Sequence, residues 1–383
     1  MHSVPMRPVT RGPKFHWFGY YDKWQFDESG RYALGMEVGF EGRSPRPEDE
    51  IALGLIDLKD EDRWSQIGRT QAWCWQQGCM LQWRPGSARE IVWNAREDGA
   101  FVCRVLDMDS GQTRTLPRAV YSLSPDGKTA VCTDFRRIQD MRPGYGYAGL
   151  PDPNAGVLAP DDVGIWVQDM DTGASELIVS VAQIVALPYP HGDLSAAKHY
   201  FNHLLFSPDG SRFIFLHRWR FGDGPFHTRM LTAALDGTDV RVVDDYGRTS
   251  HFIWRDPAHI LAWSWHPSAE SAFYLYGDGG GQVDPVGQGA MRVNGHCTYM
   301  PDVRWVLNDT YPLGAARTQE LYLYDVESDR RVELGALTVP AEYTDEWRCD
   351  LHPRANRAGT QVIVDSAHAG GRQMYLLDVS DIL

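Results

Sequence analysis

The chain has 383 residues and a formal net charge of −14 at pH 7, with 37 Lys and Arg against 51 Asp and Glu. A nucleic-acid surface needs clustered positive charge, so this balance disfavours a nucleic-acid partner, and an anionic ligand would need a local basic pocket. Hydrophobic residues make up 43% of the chain, which includes 14 Trp, as expected for a protein with a large folded core. No apolar run approaches the roughly 20 residues that cross a bilayer, so we expect no membrane partner.

The first residues, Met1 to Arg7, contain no apolar stretch of the kind that a secretory signal needs. We therefore expect a cytoplasmic protein. Thiols stay reduced in that compartment, so the sequence predicts free cysteines rather than disulfide bonds. Metal binding by Cys297 or Cys349 is an alternative. The six cysteines are Cys74, Cys79, Cys103, Cys132, Cys297 and Cys349.

One pattern recurs seven times along the chain: a strand, a tight turn of the Ser-Pro-Asp-Gly kind, and a second strand. Glycine at such a turn supplies the positive φ that a tight hairpin needs. Four strands in each repeat of about 40 to 60 residues are the signature of a β-propeller. The sequence predicts an all-β, seven-bladed β-propeller that forms a single domain over residues 1–383. The copies lie at residues 24–30, 81–86, 122–127, 204–210, 252–257, 297–302 and 353–359.

The last repeat has room for only three strands before the chain ends. Residues 4–11 precede the first repeat and could supply the missing strand. Such a strand would close the ring and remove the exposed edges of the first and last blades. A frayed N-terminal tail is the alternative.

Four consecutive repeats place a histidine at the same position. The first strand of a propeller blade runs along the central channel, so residues at its start open on one mouth of that channel. A single histidine there could simply cap a strand by hydrogen bonding, but four in one register predict a functional cluster. Three residues before the aromatic position, the seven repeats have Lys23, Met80, Val120, His203, His251, His296 and His352.

Cationic and aromatic residues are expected around these histidines, because the second strand of each blade ends at the same mouth. Two segments without clear repeat strands, residues 139–162 and 181–201, are rich in Pro, Gly and Tyr, and long loops in compact domains are often functional. Their tyrosines fit a lid that stacks on a sugar, with surface irregularity as the alternative. The candidate substrate-binding residues are Arg136, Arg137, Tyr145, Tyr147, His217, Arg218 and Arg220.

Three residues at the starts of adjacent blades, His296, Asp350 and His352, are candidate metal ligands. Imidazole suits a first-row transition metal, and a carboxylate adds a harder donor. Cys349 and Glu346 are possible additional ligands. A cation beside an anionic uronate would acidify the carbon next to the carboxylate, and a neutral histidine could then remove that proton. This chemistry is β-elimination.

Residues 250–254, 295–297 and 350–353 resemble the corresponding motifs of the oligogalacturonate lyase family, which are seven-bladed propellers related in shape to the ulvan lyases. The resemblance covers about residues 200–383 and is weak in the first three blades. It implies that His251 is the base and that His296 is a ligand of a catalytic manganese ion.

The sequence departs from this family at one motif. The family pattern Gln-x-x-His-x-His supplies the remaining metal ligands, and here only its last position, His352, matches. Trp347 and Asp350 stand where Gln and the first His are expected. The resemblance also implies a role for Arg229, the best match to the family arginine that meets the substrate carboxylate.

We therefore expect a lyase that cleaves uronic-acid-containing oligosaccharides or polysaccharides by metal-assisted β-elimination. The expected cofactor is a divalent metal, manganese, with zinc or calcium as alternatives. One rival is a propeller glycoside hydrolase or metal-free lyase in which histidine, tyrosine and arginine do the chemistry. The other is a non-enzymatic scaffold or sensor of the TolB kind, since a fold does not imply a function. The catalytic candidates are His203, Arg229 and His251.

Overall fold

The computed structural model describes residues 4–382 of the chain. These residues form seven antiparallel sheets of four strands each, arranged as the blades of a propeller. The predicted all-β, seven-bladed fold is confirmed. Within the described range, no helix is long and apolar enough to span a membrane.

The strands follow one another from the channel outward in each blade. The first strand and blades 1 to 3 are β1 (Met6–Pro8); β2 (Phe15–Trp17), β3 (Tyr32–Val38), β4 (Ile51–Asp57) and β5 (Arg63–Thr70); β6 (Gln82–Trp83), β7 (Glu90–Glu97), β8 (Ala100–Asp107) and β9 (Thr113–Leu116); β10 (Ser122–Leu123), β11 (Thr129–Thr133), β12 (Gly164–Asp169) and β13 (Ser175–Ser180).

Blades 4 to 7 continue the same order, except that the last blade has only three strands from the C-terminal part of the chain. They are β14 (Lys198–Phe206), β15 (Arg212–Arg220), β16 (His227–Ala234) and β17 (Arg241–Asp244); β18 (Phe252–Asp256), β19 (His259–His266), β20 (Glu270–Gly277) and β21 (Val283–Val286); β22 (Thr298–Tyr299), β23 (Trp305–Asp309), β24 (Thr318–Asp325) and β25 (Arg330–Thr338); β26 (Arg354–Ala355), β27 (Gln361–Ser366) and β28 (Gln373–Asp378).

The N-terminal strand closes the ring, as the sequence predicts. Strand β1 pairs antiparallel with β28, with Met6 opposite Leu377, and so becomes the outermost strand of blade 7. Val9, just beyond β1, is 1% exposed, and its N–H donates to the carbonyl of Met374 at 2.9 Å. The first and last blades are thereby joined by main-chain hydrogen bonds.

Central strands carry buried residues on both faces, because each blade is covered by a neighbour on either side. In β15, Phe213 and Phe215 pack in the core shared with blade 3. Ile214 and Leu216, on the opposite face, pack in the core shared with blade 5. The alternation of side chains along a strand therefore decides which neighbouring blade each residue of β15 meets.

Two short helices lie where the sequence shows no repeat strands. Helix α1 (Phe135–Met141) is N-capped by Asp134, and helix α2 (Val181–Val185) begins with a capping box of Ser180 and Gln183. A 3₁₀ turn, Asp345–Trp347, precedes blade 7. Both helices bury apolar residues in the same core as blades 3 and 4.

Residues 18–23, here named the channel segment, leave the innermost strand of blade 1 and enter the channel. The Tyr21 hydroxyl donates to the carbonyl of Phe252 in blade 5 at 2.8 Å. On the blade 7 side, the N–H groups of Phe18 and Gly19 both donate to the carboxylate of Asp365 at 3.2 Å. Gly19 has φ +106° and a Cβ there would lie 2.9 Å from the backbone of Gln77, so this path requires glycine.

Removal of residues 1–9 should destabilise the ring, because it takes away β1 and the fully buried Val9. We expect the free energy of unfolding to fall by at least about 2 kcal/mol, the value of one buried aliphatic side chain. Urea unfolding measures this loss. A synthetic peptide of residues 4–11 added to the truncated protein should restore stability. Unchanged stability in the truncated protein would contradict ring closure by β1.

Candidate functional site

Three of the four register histidines meet at one mouth of the channel. The rings of His251 and His296 have centroids 4.2 Å apart, and those of His296 and His352 are 4.1 Å apart. Each residue immediately precedes, or lies two residues before, the innermost strand of its blade. All three are buried, with exposed fractions of 6%, 1% and 3%. The shared register in the sequence thus corresponds to a cluster in space.

His296, Asp350 and His352 together can hold a metal ion. One donor atom from each lies within 4.8 Å of the other two, and residues 4–382 contain no other such group. The Asp350 Oδ1 and His352 Nε2 atoms are buried and have no hydrogen-bond partner in the described part of the chain. Burying such atoms without a partner is costly, and a bound cation would satisfy both. These donors therefore fit a divalent metal.

The carboxylate of Asp309, at the end of β23, orients the metal-binding group. It lies 2.9 and 3.0 Å from His296 Nδ1, and it accepts from the main-chain N–H of His296 at 2.7 Å and of His352 at 3.0 Å. When Nδ1 donates to a carboxylate, Nε2 keeps the lone pair that binds a metal. Asp309 is not among the site residues predicted from the sequence.

His251 has the properties of a general base. Its Nδ1 lies 3.0 Å from the Asn294 side-chain oxygen, so Nδ1 carries the proton and Nε2 is free to accept one. Burial, followed by the charges of His296 and His203, holds the pKa of His251 well below its ordinary value. The Tyr311 hydroxyl lies 3.4 Å from Nε2. His251 is therefore neutral at physiological pH and able to take up a proton.

His203 lies apart from the metal-binding group, beside the channel segment. Its Nε2 is 3.3 Å from Asp22 Oδ2 and 3.4 Å from the Tyr21 hydroxyl. Burial lowers its pKa to about 4 and outweighs the opposing effect of Asp22. The ring also stacks on Phe252 with centroids 4.0 Å apart. These contacts connect His203 to the channel segment and place it next to, but not among, the metal donors.

Two tyrosines of the channel segment, Tyr20 and Tyr21, pack against the histidine rings. The Tyr20 ring lies 4.9 Å from His203 and 5.3 Å from His352, and the Tyr21 ring lies 5.4 Å from His296. Burial raises the pKa of both tyrosines well above the ordinary value, so both stay neutral. Sequence reasoning missed these residues. The run Phe-Gly-Tyr-Tyr before the first repeat was the available signal.

Arg348 connects the metal-binding group to Tyr145. Its Nε donates to Asp350 Oδ2 at 2.8 Å, and its Nη2 donates to the Tyr145 hydroxyl at 2.6 Å. The guanidinium of Arg142 lies 3.9 Å over the Tyr145 ring. Burial acts to raise the pKa of Tyr145, but the two arginine charges outweigh it and the pKa lies below its ordinary value. Of these residues, only Tyr145 and Asp350 were candidates from the sequence.

Arg229 and His217 do not lie at this site, contrary to the sequence-based expectation. The two residues are opposite one another on β16 and β15, on the face that packs toward helix α2. Arg229 is fully buried, and its guanidinium donates to His217 Nδ1 at 2.9 Å and to the carbonyls of Ile184 and Pro188. His217 Nε2 lies 2.9 Å from His199 Nδ1. This network is structural.

Arg136, Arg137 and Tyr147 also lie elsewhere. Arg136 pairs with Asp134, the N-cap of helix α1. Arg137 is 1% exposed and is saturated by protein acceptors. Tyr147 is fully buried and stacks on Phe135 with centroids 4.2 Å apart, so it cannot form a lid on a sugar.

The two additional ligands that the sequence suggested, Cys349 and Glu346, lie outside the metal-binding group. Cys349 packs in a small apolar cluster, where burial raises the pKa of its thiol to about 12. Glu346 hydrogen-bonds with Ser44. All six cysteines are buried and unpaired, as predicted. Arg218 and Arg220 are half-buried near the end of β15, and Arg218 lies opposite Tyr200 of β14.

The structure is similar to that of oligogalacturonate lyase from Vibrio parahaemolyticus, with a TM-score of 0.70 and 15% identity over 99% of this chain and 94% of that chain. An oligogalacturonate lyase in complex with manganese has the same TM-score and identity, over 98% of this chain and 93% of that chain. The β-propeller domain of the trilobed protease from Pyrococcus furiosus has a TM-score of 0.51 and 11% identity, over 94% of this chain and 96% of that chain. No protein-family model and no curated protein matches the sequence. The chain therefore has the fold of these lyases, as the resemblance in sequence implied.

A 1:1 complex with Mn²⁺ is expected, since three donors converge and two of them have no other partner. Replacement of one ligand, His352→Ala, should weaken Mn²⁺ binding by at least about 100-fold, because it removes one of the few protein ligands of the metal. Isothermal titration calorimetry measures the affinity. His368→Ala, outside the metal-binding group, is the matched control and should bind like wild type. Equal Mn²⁺ affinity in His352→Ala and wild type would show that this group is not the metal site.

Acid should destabilise the protein through its buried neutral histidines. Burial lowers the pKa values of His199 and His203 to about 4, whereas unfolded histidine titrates at about 6.5. The unfolded chain therefore binds more protons between these values, so stability is complete above about pH 6.5 and falls as the pH decreases toward 4. Urea unfolding at several pH values measures the slope. His203→Gln should make this slope shallower. An unchanged slope would contradict the lowered pKa of His203 in the folded protein.

Proposed function

We propose that this protein is a lyase that cleaves uronic-acid-containing oligosaccharides by metal-assisted β-elimination. The observation that carries the proposal is the position of a neutral base, His251, whose ring lies 4.2 Å from that of the metal-binding residue His296. The fold that the chain shares with oligogalacturonate lyases, one of them a manganese complex, supports it.

His296, Asp350 and His352 would hold the metal. When bound, it supplies a Lewis acid that polarises the carboxylate of the uronate and makes the adjacent C5–H more acidic. Asp309 keeps the Nε2 of His296 turned toward this position, and Arg348 holds Asp350 by its other carboxylate oxygen.

His251 Nε2 takes the C5 proton. The electron pair of the C5–H bond forms the C4–C5 double bond, and the C4–O bond breaks with its electrons going to the leaving oxygen. That oxygen takes up one proton from solvent, and His251 later returns its proton to solvent, so the two protons balance. No water is consumed. Asn294 fixes the His251 ring so that Nε2 rather than Nδ1 is the basic atom. Tyr20 and Tyr21 are buried against the histidine rings and would keep water from that side of the site.

Hydrolysis by the usual glycosidase route fits the site less well. That route needs two carboxyl groups that flank the bond, one as acid and one as base or nucleophile. Asp309 is bonded to His296 and to the main chain of His352, and Asp350 is bonded to Arg348. Neither is free to act in this way.

Elimination creates a conjugated double bond whose ultraviolet absorbance can be followed directly. We expect Mn²⁺-loaded protein to generate this absorbance with one or more members of a panel of oligouronates. His251→Ala should lower kcat by about 10²- to 10⁴-fold, the usual contribution of a general base. His266→Ala, a half-exposed histidine at the end of β19, is the control and should retain wild-type activity. Reducing ends without unsaturated product would show hydrolysis and contradict the proposal.

A further inference from the structure

Two fully buried arginines, Arg137 and Arg229, are saturated by protein acceptors. Arg137 donates to a carboxylate oxygen of Asp152 and to the carbonyls of His199, Asn154, Val157 and Leu158. Arg229 is saturated in the same way in its own network. These cases show what the protein does with an arginine that serves the structure.

Arg218 differs from both. Its Nε is buried and has no hydrogen-bond partner in the range 4–382, and its guanidinium forms no ion pair there. The chain carries 51 acidic residues against 37 basic ones, so carboxylates are not scarce. An unpartnered guanidinium N–H in a buried position lowers stability, and a bound ligand would satisfy it.

Two more unpartnered atoms lie on the same face of blade 4. Tyr200 is directly opposite Arg218 in the β14–β15 pair, and Asn202 is the next residue of β14 on that face. The Tyr200 hydroxyl and the Asn202 side-chain oxygen are buried without a hydrogen-bond partner among the residues described. A donor, a hydroxyl and an acceptor are therefore gathered on one surface with nothing to satisfy them.

A second arginine borders this surface. The Arg142 side chain makes no hydrogen bond or ion pair within the described chain and lies 3.9 Å over the Tyr145 ring. It is 5.8 Å from the Phe226 ring, which in turn lies 5.9 Å from the Tyr200 ring. Arg142 and Arg218 thus flank Tyr200.

This surface adjoins the reaction site from the side of blade 4. Asn202 is followed in the chain by His203, whose ring stacks on that of Phe252, the residue after His251, with centroids 4.0 Å apart. Through Tyr145 and Arg348, Arg142 connects to Asp350. The metal-binding group lies on the opposite side, in blades 6 and 7.

We propose that Arg142, Tyr200, Asn202 and Arg218 form a second carboxylate-binding subsite, which holds the acidic sugar next to the one that reacts. The two arginines and the Tyr200 hydroxyl donate to the carboxylate, and Asn202 accepts from a sugar hydroxyl. This assignment rests on the proposed function and makes two neighbouring acid groups the feature that the protein recognises.

Binding can be measured without turnover in Mn²⁺-loaded His251→Ala protein, with galacturonate and digalacturonate as probes. The second acidic sugar should raise affinity by about tenfold or more, as charge-assisted hydrogen bonds do. Adding Arg218→Gln should abolish this gain and leave the affinity for the monomer unchanged. Arg330→Gln, an exposed arginine of β25, is the matched control and should change neither affinity.

A stability measurement separates a binding role from a structural one. Arg218→Met should leave the melting temperature of the free protein unchanged or raised, because it removes an unpartnered buried polar group. Arg137→Met should lower it clearly, because it leaves carbonyls and Asp152 without their donor. A comparable loss in Arg218→Met would overturn the subsite.

The binding data and the elimination assay can fail independently. If Arg218→Gln binds digalacturonate as tightly as its parent while wild type forms unsaturated product, the subsite is wrong and the proposed function stands. If the gain from the second sugar depends on Arg218 but wild type forms no unsaturated product, the subsite stands and elimination fails.

Discussion

One buried carboxylate, that of Asp309, holds the geometry of the candidate site. It is fully buried and binds the side chain and main chain of His296 in its own blade and the main chain of His352 in the next. Asp365 occupies the corresponding strand of blade 7 and binds the channel segment in the same manner. Both carboxylates join neighbouring blades at the channel. The histidines can converge because these side chains fix the blades to one another.

The repeat in the sequence predicted both the fold and the histidine cluster, because periodicity carries information about register. Residues at one register position of successive blades open on the same mouth, so His251, His296 and His352 could be grouped from the sequence alone. The channel segment could not be predicted in this way. This segment occurs in only one blade. Because no other blade contains a copy to align it with, its position could not be read from the repeat.

The misassigned arginines have a different cause. A strand end identifies the mouth of the channel, but successive side chains point to opposite faces of the blade. His217 and Arg218 are adjacent, yet His217 joins the network with Arg229 near helix α2, whereas Arg218 lies on the other face of β15, opposite Tyr200. Arg348 was missed because the loop before blade 7 has no periodicity, and its contact with Tyr145 spans 203 residues of sequence.

The proposed elimination depends on the metal-binding group, and diffraction from crystals grown with Mn²⁺ tests that group most directly. One anomalous peak is expected within bonding distance of His296 Nε2, His352 Nε2 and Asp350 Oδ1, with Asp309 still bonded to His296 Nδ1. A peak at another place, or none at full Mn²⁺ saturation, would contradict this expectation and would leave the cluster without the group on which the proposed elimination depends.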